Sequence, residues 1–489
     1  MQLVSLLVLA PSLPFAAAET VLGAFIFHRH GDRTTKSYNP VTLTPLGAEQ
    51  VFTSGSWYRD NYISADAPSK INGVSSDLAV LSQLSITSTI DNVLQNSAQV
   101  FLQGLYPPAG SLAIQKLANG SSINTPFNGY QYIPVNAVTS PTSGKGAEET
   151  NGWLQAGSGC TKAIASSNSY FQSAEYLATL DSTKDFYQSL LPVYNATFPS
   201  PNATFKNAYT IYDFVHVSTV HNTTSAIPSH DLLTPSTLHQ LQTLADTHEY
   251  NLAYNASSPI RAIAGSVLAA QIISALNTTL SAPASKKSAQ KLTTQFGAYG
   301  TFMAFFGLAN APAASKDFYG VVDYASSMVF ELVTNASLPT SGAVNPADVS
   351  VRFLFANGSA SAANVPQAYP LFGRTETTLK WDVFVQEMEK FAIGTTAVWC
   401  DACGNTDGIC SPASLGIATA DDNESGSSDG GVSRPVAGVI GAVVAIAVIL
   451  AVQGLVMLVG GLRLAKKETV ALARKASHDG VSVSTEGRV

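Results

Sequence analysis

The chain has 489 residues and a net charge of −7, and its basic residues form no patch before the extreme C-terminus. This charge distribution excludes nucleic acid as an expected partner. About 400 residues remain once both ends are set aside, which suits one large α/β unit with a subsidiary lobe. Only 12% of the residues are charged, so we expect another source of solubility.

The first 18 residues resemble a secretory signal peptide. An apolar run over Leu3–Leu9 precedes two prolines, and Ala16–Ala18 offers a small-residue cleavage site. No positive charge follows Met1, which departs from the usual pattern, and a buried N-terminal strand or helix is the alternative. We predict a signal peptide over residues 1–18 and an ectodomain over residues 19–410.

A buried strand is predicted over Val21–Phe27, and a charged segment that contains Gly31 follows it directly. In an α/β sheet, such a strand brings the next loop to its C-terminal edge, where these sheets place their sites. Helical periodicity and stop signals then predict helices over Thr44–Tyr58 and Ile90–Leu105.

Helical periodicity recurs through the middle of the chain, which predicts a helical lobe over about residues 155–291. It is clearest over Ser173–Leu191, Ser236–Tyr250 and Arg261–Leu276. After this lobe the pattern predicts three strands and a last helix. These segments are Leu292–Gly297, Ser327–Val333, Val349–Phe355 and Trp381–Phe391.

The C-terminal end predicts a membrane anchor. Residues 411–434 are rich in Ser, Gly and Asp, as in a flexible stalk. Residues 435–462 carry no formal charge and are long enough to cross a bilayer. Basic residues are concentrated after this run, so the tail over residues 463–489 is predicted to be cytosolic. A glycolipid-anchor signal is the alternative, but such signals end in their apolar tail.

Nine Asn-x-Ser/Thr sequons lie between the predicted signal peptide and the predicted span. They are Asn119, Asn195, Asn202, Asn222, Asn255, Asn277, Asn335, Asn357 and Asn423. On the lumenal side these asparagines are candidates for N-glycosylation, which would supply solubility. The sequence therefore predicts a single-pass type I glycoprotein of the secretory pathway, in the plasma membrane or an endomembrane.

Four cysteines predict two disulfides in an oxidising compartment, with three possible pairings. They are Cys160, Cys400, Cys403 and Cys410. The Cys-x-x-Cys pair could hold a metal, but no second Cys/His pair stands at ligand spacing. We therefore predict no metal and no cofactor.

The segment Arg29–Arg33 carries the most chemical information in the chain. Two guanidiniums flank His30, and guanidinium forks match the oxygens of phosphate. A histidine between them can attack phosphorus or hold a transferred phosphoryl group. Gly31 lets the backbone turn tightly. The pattern favours a phosphate or phosphomonoester ligand; a solvated loop is the alternative.

This segment, Arg29-His30-Gly31-Asp32-Arg33, resembles the signature of the histidine acid phosphatases, in the acid phosphatase and phytase branch of the histidine phosphatase superfamily. The resemblance continues over Leu43–Gly47, Ser97–Pro108, Phe330–Leu332, Val351–Phe353 and Trp399–Cys403. It spans about residues 20–410 and implies a three-layer α/β/α core, phosphoglycerate-mutase-like, with a helical insertion lobe. It also implies that His30 is the nucleophile, that it becomes phosphohistidine, and that Arg29 and Arg33 bind phosphate. Thr35 replaces a usual proline, which predicts a looser loop.

One phosphate ligand of the family is missing from this sequence. The family has an arginine in the second helix, a few residues before a Ser-Ala pair. Alignment on Ser97-Ala98 places Val93 at that position, and valine cannot bind phosphate. Loss of such a donor weakens transition-state stabilisation by about 2–4 kcal/mol.

The family's His-Asp pair, whose Asp protonates the leaving group, is also altered. If the turn after the strand sets the register, Tyr299 and Gly300 take its place. If the glycine after the next helix sets it, Gln295 and Phe296 take its place. Neither Gly nor Phe can donate a proton, and a lost general acid costs about 10²–10⁴-fold in rate.

Two other carboxylates are candidate proton donors. Asp32 is close to the nucleophile and is a candidate substitute acid, whereas His230-Asp231 lies in a polar stretch that precedes a helix. The prediction is a degenerate family member that binds phosphate or a phosphorylated ligand with little or no turnover. The alternatives are an active acid phosphatase with a non-standard donor and a non-catalytic adhesion or receptor glycoprotein.

Overall fold

The computed structural model describes residues 19–138 and 159–416. The chain divides into two units, residues 1–417 and 418–489, and every described residue belongs to the first. The predicted signal peptide, most of the stalk, the span over residues 435–462 and the tail lie outside the described residues. Within them, one helical stretch, Pro259–Ser281, is long and apolar enough to cross a membrane, and 56% of its most apolar window is buried in the domain.

A mixed β-sheet forms the centre of the domain. The strands, including a separate hairpin of β3 and β4, are β1 (Thr20–Arg29), β2 (Leu84–Thr89), β3 (Ile114–Lys116), β4 (Ser122–Asn124), β5 (Asn136–Val138), β6 (Leu292–Gly297), β7 (Ser327–Thr334), β8 (Val349–Ala356), β9 (Gln367–Ala368) and β10 (Thr378–Lys380). The order across the main sheet is β10-β8-β7-β1-β6-β2-β5, and β9 pairs with β8. Strand β1 runs parallel to β6 and antiparallel to β7. Because β1 is central, all but its first residue are buried.

Helices surround this sheet. They are α1 (Pro45–Tyr58), α2 (Asn92–Leu105), α3 (Pro126–Gly129), α4 (Thr161–Ser169), α5 (Ala174–Ser182), α6 (Lys184–Ser189), α7 (Leu191–Tyr194), α8 (Ala208–His221), α9 (Pro235–Ala253), α10 (Ile263–Ser281), α11 (Tyr299–Leu308), α12 (Trp381–Glu389) and α13 (Thr396–Cys403). Most elements predicted from sequence are present with ends shifted by a few residues. Helix α8 is one that the sequence analysis did not identify.

Both faces of the sheet are covered, as alternating side chains of β1 require. Ile26 faces a core shared with α1 and α2, which includes Phe101. Phe27 faces a second core shared with α10, α11 and α12, which includes Phe305 and Phe384. The predicted α/β fold class is therefore confirmed, as a mixed sheet between two helical layers.

The helical lobe has its own apolar core. Side chains from α5 to α9, such as Tyr187, Phe205 and Leu241, form a separate cluster. Helix α10, which the predicted range of 155–291 included, instead packs on the sheet through Leu268 and Ile272. The lobe therefore ends near α9, because the wide apolar face of α10 is buried against β1.

Two disulfides close the C-terminal end of the domain. Cys160 pairs with Cys403, and Cys400 pairs with Cys410. The first links the start of α4 to the end of α13 across 243 residues of sequence, which restricts the unfolded chain strongly. Both sulfurs of the Cys-x-x-Cys pair are bonded, so they serve as a staple.

Eight of the nine sequon asparagines lie in the described residues, and Asn423 lies outside them. Seven of the eight side chains are exposed, and Asn255 is half-buried. An attached glycan must reach solvent, so the fold is compatible with glycosylation at the exposed positions.

Candidate active site

The segment His30–Arg33 leaves β1 at the C-terminal end of its parallel pairing with β6. Arg29, the last residue of β1, lies opposite Gly297, the last residue of β6. Gly31 is required by close packing: an added Cβ would lie 2.1 Å from the carbonyl oxygen of Gly47 in α1. Its φ is not positive, so close approach to α1, and not a left-handed backbone, explains the glycine.

Three elements fix the backbone of this loop. The N–H of Gly31 donates to Ser97 Oγ of α2 at 3.2 Å, and the N–H of Asp32 donates to Gln50 Oε1 of α1 at 2.8 Å. The N–H of Ala325 donates to the carbonyl of His30 at 2.8 Å. The loop is therefore positioned before any ligand arrives.

His30 has the orientation that a nucleophilic histidine needs. Its Nδ1 lies 2.8 Å from the carbonyl oxygen of Gly31, and a carbonyl can only accept. Nδ1 therefore carries a proton. When the ring is neutral, its lone pair is on Nε2. The residue is 1% exposed.

The two arginines are buried on either side of His30. Arg29 donates through Nη1 to the carbonyl of Val322, and Arg33 forms an ion pair with Asp213 at 2.8 Å. The Nε–H groups of both arginines are buried and have no hydrogen-bond partner among the described residues. A buried donor without an acceptor costs about 1–3 kcal/mol, so both favour an incoming anion.

Helix α8 covers the loop from the lobe. Tyr209, Asp213 and His216 occupy positions i, i+4 and i+7, so they share one face of the helix. Asp213 accepts from the hydroxyl of Thr35 and from the N–H of Lys36, both at 2.8 Å. The looser loop predicted from Thr35 is therefore wrong, because its hydroxyl ties the loop to α8.

Charge at this interface favours a cationic Arg33. Burial lowers its pKa, but Tyr209, Tyr324 and Asp213 outweigh burial and raise the pKa above its ordinary value. Burial also lowers the pKa of His216, and the nearby carboxylates only partly oppose that shift. The positive charge of Arg33 is therefore balanced by the Asp213 carboxylate, and burial favours the uncharged form of His216.

Tyr324 lies beside His30. Its ring centroid is 5.6 Å from that of His30, and the guanidinium carbons of Arg29 and Arg33 lie over it at 4.6 and 5.6 Å. The next residue, Ala325, has a φ of 60°, a left-handed conformation that is uncommon for alanine. Burial raises the pKa of the Tyr324 phenol, which stays neutral. Tyr324 and Asp213 thus cover the loop.

Asp32, the candidate substitute acid, is held away from solvent by two neighbours. Its Oδ1 accepts from the hydroxyl of Thr44 at 2.5 Å and lies 2.7 Å from Nε2 of His221. His221 ends α8, and Thr44 caps α1. Asp32 therefore links the loop to both helices as a hydrogen-bond acceptor.

Tyr299 and Gly300 stand at the start of α11, next to the loop. The ring of Tyr299 packs 5.3 Å from the guanidinium carbon of Arg29, and its hydroxyl donates to Glu249 of α9 at 2.8 Å. An atom added as Cβ at Gly300 would meet nothing within 4 Å. A phenol and an open space therefore stand at the two positions that one register of the resemblance assigns to the family's His and Asp.

The other predicted positions lie elsewhere. Gln295 is inside β6 and lines a cavity of about 360 Å³ beside α10, and Phe296 packs in the core, 5.2 Å from the ring of His28. His230 and Asp231 form part of a short turn before α9, with Asp231 exposed. The register with Tyr299 and Gly300 is the one that meets the loop.

Val93 lies in the first turn of α2, where it is 1% exposed. It precedes Ser97 by four residues, so the two side chains share a helix face, and Ser97 contacts the loop. The position that the resemblance assigns to an arginine is thus apolar and on the face toward the loop.

Sequence reasoning missed the side chains that reach this site from α8, α9 and the segment before β7, among them Asp213, His221, Glu249 and Tyr324. Asp213 and its neighbours repeat at helical spacing, a signal that could have identified a polar helix face. Tyr324 and Glu249 have no local pattern, because their roles arise only when the lobe and the sheet meet.

Comparison with known proteins identifies the family. A family model described as histidine phosphatase superfamily (branch 2) matches residues 37–356. The chain belongs to this superfamily. The match begins after the Arg29–Arg33 loop, and it confirms the resemblance seen in the sequence.

Solved structures share the fold at low sequence identity. The phytase from Citrobacter braakii aligns with a TM-score of 0.50 and 12% identity, covering 78% of this chain and 99% of that one. The phytase from Klebsiella sp ASR1 aligns with a TM-score of 0.50 and 10% identity, with the same coverage. No curated protein matches the chain. The fold supports a phosphatase-type function.

Proposed function

We propose that this protein is a membrane-anchored glycoprotein of the histidine phosphatase superfamily that binds phosphate or a phosphomonoester with little or no turnover. The observation that carries the binding part is the pair of buried Nε–H groups on Arg29 and Arg33, on either side of His30. A phosphoryl group there would accept from both arginines, as bidentate guanidinium recognition favours.

The low turnover follows from what the family's other positions hold. Gly300 has no side chain to protonate a leaving group, and Val93 has none to bind an equatorial oxygen. A missing general acid costs about 10²–10⁴-fold in rate. A missing phosphate donor removes a further 2–4 kcal/mol or so of transition-state stabilisation.

The covered state of the loop also weakens ligand binding. A ligand must displace the ring of Tyr324 and compete with Asp213 for Arg33. The apparent affinity falls by the fraction of molecules in which these groups have moved away. We therefore expect a weaker affinity for phosphate than the two arginines would give in an open site.

The membrane and glycoprotein parts of the proposal depend on the sequence. An uncharged run over residues 435–462, a basic tail and nine sequons support them. Retention in membranes after alkaline washing, and loss of mass on enzymatic removal of N-glycans, are the expected results. A protein that is released by the wash and carries no glycan would contradict both parts.

The deciding experiment compares the full-length protein with His30→Ala. We expect hydrolysis of glycerol 2-phosphate, an alkyl phosphate whose leaving group needs a proton, to differ little between them at about pH 3 to 7, since no acid serves the leaving group. We expect inorganic phosphate to raise the thermal stability of the wild type and not of Arg29→Gln. A wild-type rate about 100-fold above that of His30→Ala would contradict the low turnover, because a positioned acid contributes at least that factor.

An active acid phosphatase is the second candidate, and the tautomer of His30 favours it. The lone pair on Nε2 is what phosphoryl transfer to this histidine requires. This candidate requires a non-standard proton donor, so alkyl and aryl phosphates would react at similar rates. A much faster reaction of aryl phosphates, whose leaving groups need little protonation, would instead indicate that no donor operates.

A further inference from the structure

A polar groove of about 650 Å³ lies between α9 and the segment 316–321. This volume is within the range of pockets that hold small ligands. The rings of Tyr250 and Tyr319 lie 4.9 Å apart, and Tyr319 is 52% exposed. Hydroxyl and amide side chains also line the groove, among them Thr243, Thr247 and Asn251. Charged side chains, among them Asp246, Lys316 and Asp317, line it as well. Aromatic rings beside hydrogen-bonding groups fit a sugar, whose C–H faces pack on rings while its hydroxyls donate and accept.

The walls of the groove are held together by a short contact. The N–H of Val321 donates to Asp246 Oδ1 of α9 at 2.8 Å. An atom added as Cβ at Gly320 would lie 3.1 Å from the same carboxylate, so a larger residue would push the walls apart. The groove is therefore a built feature of the packing between lobe and sheet.

A sequon asparagine stands on the rim of this groove. Asn357 begins Asn357-Gly358-Ser359, lines the groove and is exposed. Its Oδ1 accepts from the N–H of Asp323 at 2.8 Å and from the hydroxyl of Ser326 at 3.1 Å. These two bonds fix the plane of the amide, so the direction of Nδ2, the atom that would carry a glycan, is fixed as well.

We propose that the N-linked glycan of Asn357 folds back into this groove and packs against Tyr250 and Tyr319; this rests on the glycoprotein part of the proposed function. The amide nitrogen displaces the pyrophosphate of a lipid-linked oligosaccharide at C1 of its first sugar and loses one proton. Covalent attachment at the rim gives the glycan a high effective concentration in the groove, so weak contacts suffice to hold it there.

Such a glycan would stiffen the segment around Tyr324, which covers the Arg29–Arg33 loop. The groove wall at Val321 is adjacent in sequence to Val322, whose carbonyl accepts from Arg29. Asn357 itself holds the backbone of Asp323, which precedes Tyr324. A docked glycan and the covering ring therefore belong to one continuous segment.

The test measures how fast each glycan is removed from the folded, full-length protein. The protein is produced in a eukaryotic secretory host with high-mannose glycans, exposed to an endoglycosidase, and analysed by mass spectrometry at each sequon. We expect the Asn357 glycan to be cleaved at least about tenfold more slowly than those of Asn195 and Asn277, because the enzyme acts only on molecules in which it has left the groove.

Variants of an exposed ring separate docking from simple crowding. Tyr319→Ala should raise the cleavage rate at Asn357 to that of Asn277, whereas Tyr319→Phe, which keeps the ring, should preserve most of the protection. Equal rates at all sequons in the wild type would overturn the proposal, as would unchanged protection in Tyr319→Ala. An empty Asn357 beside occupied sequons would overturn it alone, and a protein without any glycan would overturn it together with the glycoprotein assignment.

Discussion

Two neighbouring strands of the same sheet deliver very different chemistry to one edge. Strand β1 ends in Arg29 and leads into His30 and Arg33, whereas β6 ends opposite it in Gly297 and leads into Tyr299 and Gly300. The first loop carries the residues that the resemblance assigns as nucleophile and phosphate ligands. The start of α11 lies beside this loop and carries a phenol and a glycine, neither of which is a carboxylic acid.

The two segments differ in what their packing requires of the side chains at this edge. The loop after β1 is closely packed, because Gly31 lies against Gly47 and its N–H donates to Ser97 Oγ. The start of α11 needs only a side chain that fills the space beside Arg29, and the ring of Tyr299 does so. The packing at this edge therefore does not require a carboxylic acid at the start of α11.

The largest effect should come from returning an acid to the start of α11. Gly300→Asp should raise kcat for a phosphomonoester by about 10²–10⁴-fold, the contribution of a positioned general acid. An added Cβ at Gly300 meets nothing within 4 Å, and an acidic side chain in the first turn of a helix is favourable. Steady-state rates with an alkyl phosphate, whose leaving group needs a proton, measure the gain.

Gly300→Asn is the matched control, since it has the shape of Asp without an acidic proton. Equal rates for the Asp and Asn variants would mean that something other than the donor limits turnover. Combination with His30→Ala should abolish any gain, because the acid acts only on a phosphoryl group attacked by that histidine.

The next effect concerns the ion pair that closes the loop from the lobe. Asp213→Ala should lower the free energy of unfolding by about 3–5 kcal/mol, because it leaves the Arg33 cation buried without its partner. Inorganic phosphate should then stabilise the variant more than the wild type, since an anion can take the vacated place. Thermal unfolding with phosphate, and with chloride at equal ionic strength, measures both effects.

Asp213→Asn separates charge from hydrogen bonding in the same measurement. It can still accept from Thr35, so its loss of stability should be smaller than that of Asp213→Ala. If phosphate stabilised the wild type and Asp213→Ala to the same degree, Asp213 would not compete with the ligand for Arg33.

A third effect is a pH dependence of the free energy of unfolding, and it arises from His28, a buried residue of β1. Burial lowers the pKa of His28 from 6.5 to about 4, and a hydrogen bond to the carbonyl of Arg29 only partly opposes this. The unfolded chain binds a proton on the His28 imidazole more tightly than the folded protein does. The contribution of the neutral His28 to the free energy of unfolding is therefore complete above about pH 6.5 and is lost as the pH falls through 4. The loss amounts to about 3 kcal/mol.

Replacement of His28 by Leu should flatten this dependence. Chemical denaturation of both proteins at about pH 7 and pH 5 gives the two slopes, and only the difference between pH values within each protein is compared. Any change in packing near Phe101 then cancels. Identical slopes would show that His28 does not titrate with a lowered pKa.

The fold was largely predictable from local patterns, and the site only in part. Apolar runs fix β1, β6 and β7 within a few residues, since a buried strand has few alternatives. The positions of Tyr299 and Gly300 needed the structure, because two registers fitted the sequence equally. Asp213 and Tyr324 could not be predicted, because each reaches the loop from a distant part of the chain.

The smallest effect compares the caps of the helices that flank the site. Thr44 caps α1 through Gly47 N and also donates to Asp32, whereas Ala298, before α11, provides no side-chain cap. Thr44→Ala should therefore cost about 0.5–2 kcal/mol of stability, and Thr44→Ser much less. Ala298→Ser should act in the opposite direction, because its hydroxyl can accept from a first-turn N–H of α11. Denaturant unfolding measures all three variants. If Ala298→Ser lowered the stability, as Thr44→Ala does, a side-chain cap added to α11 would not stabilise the protein, and the prediction would be wrong.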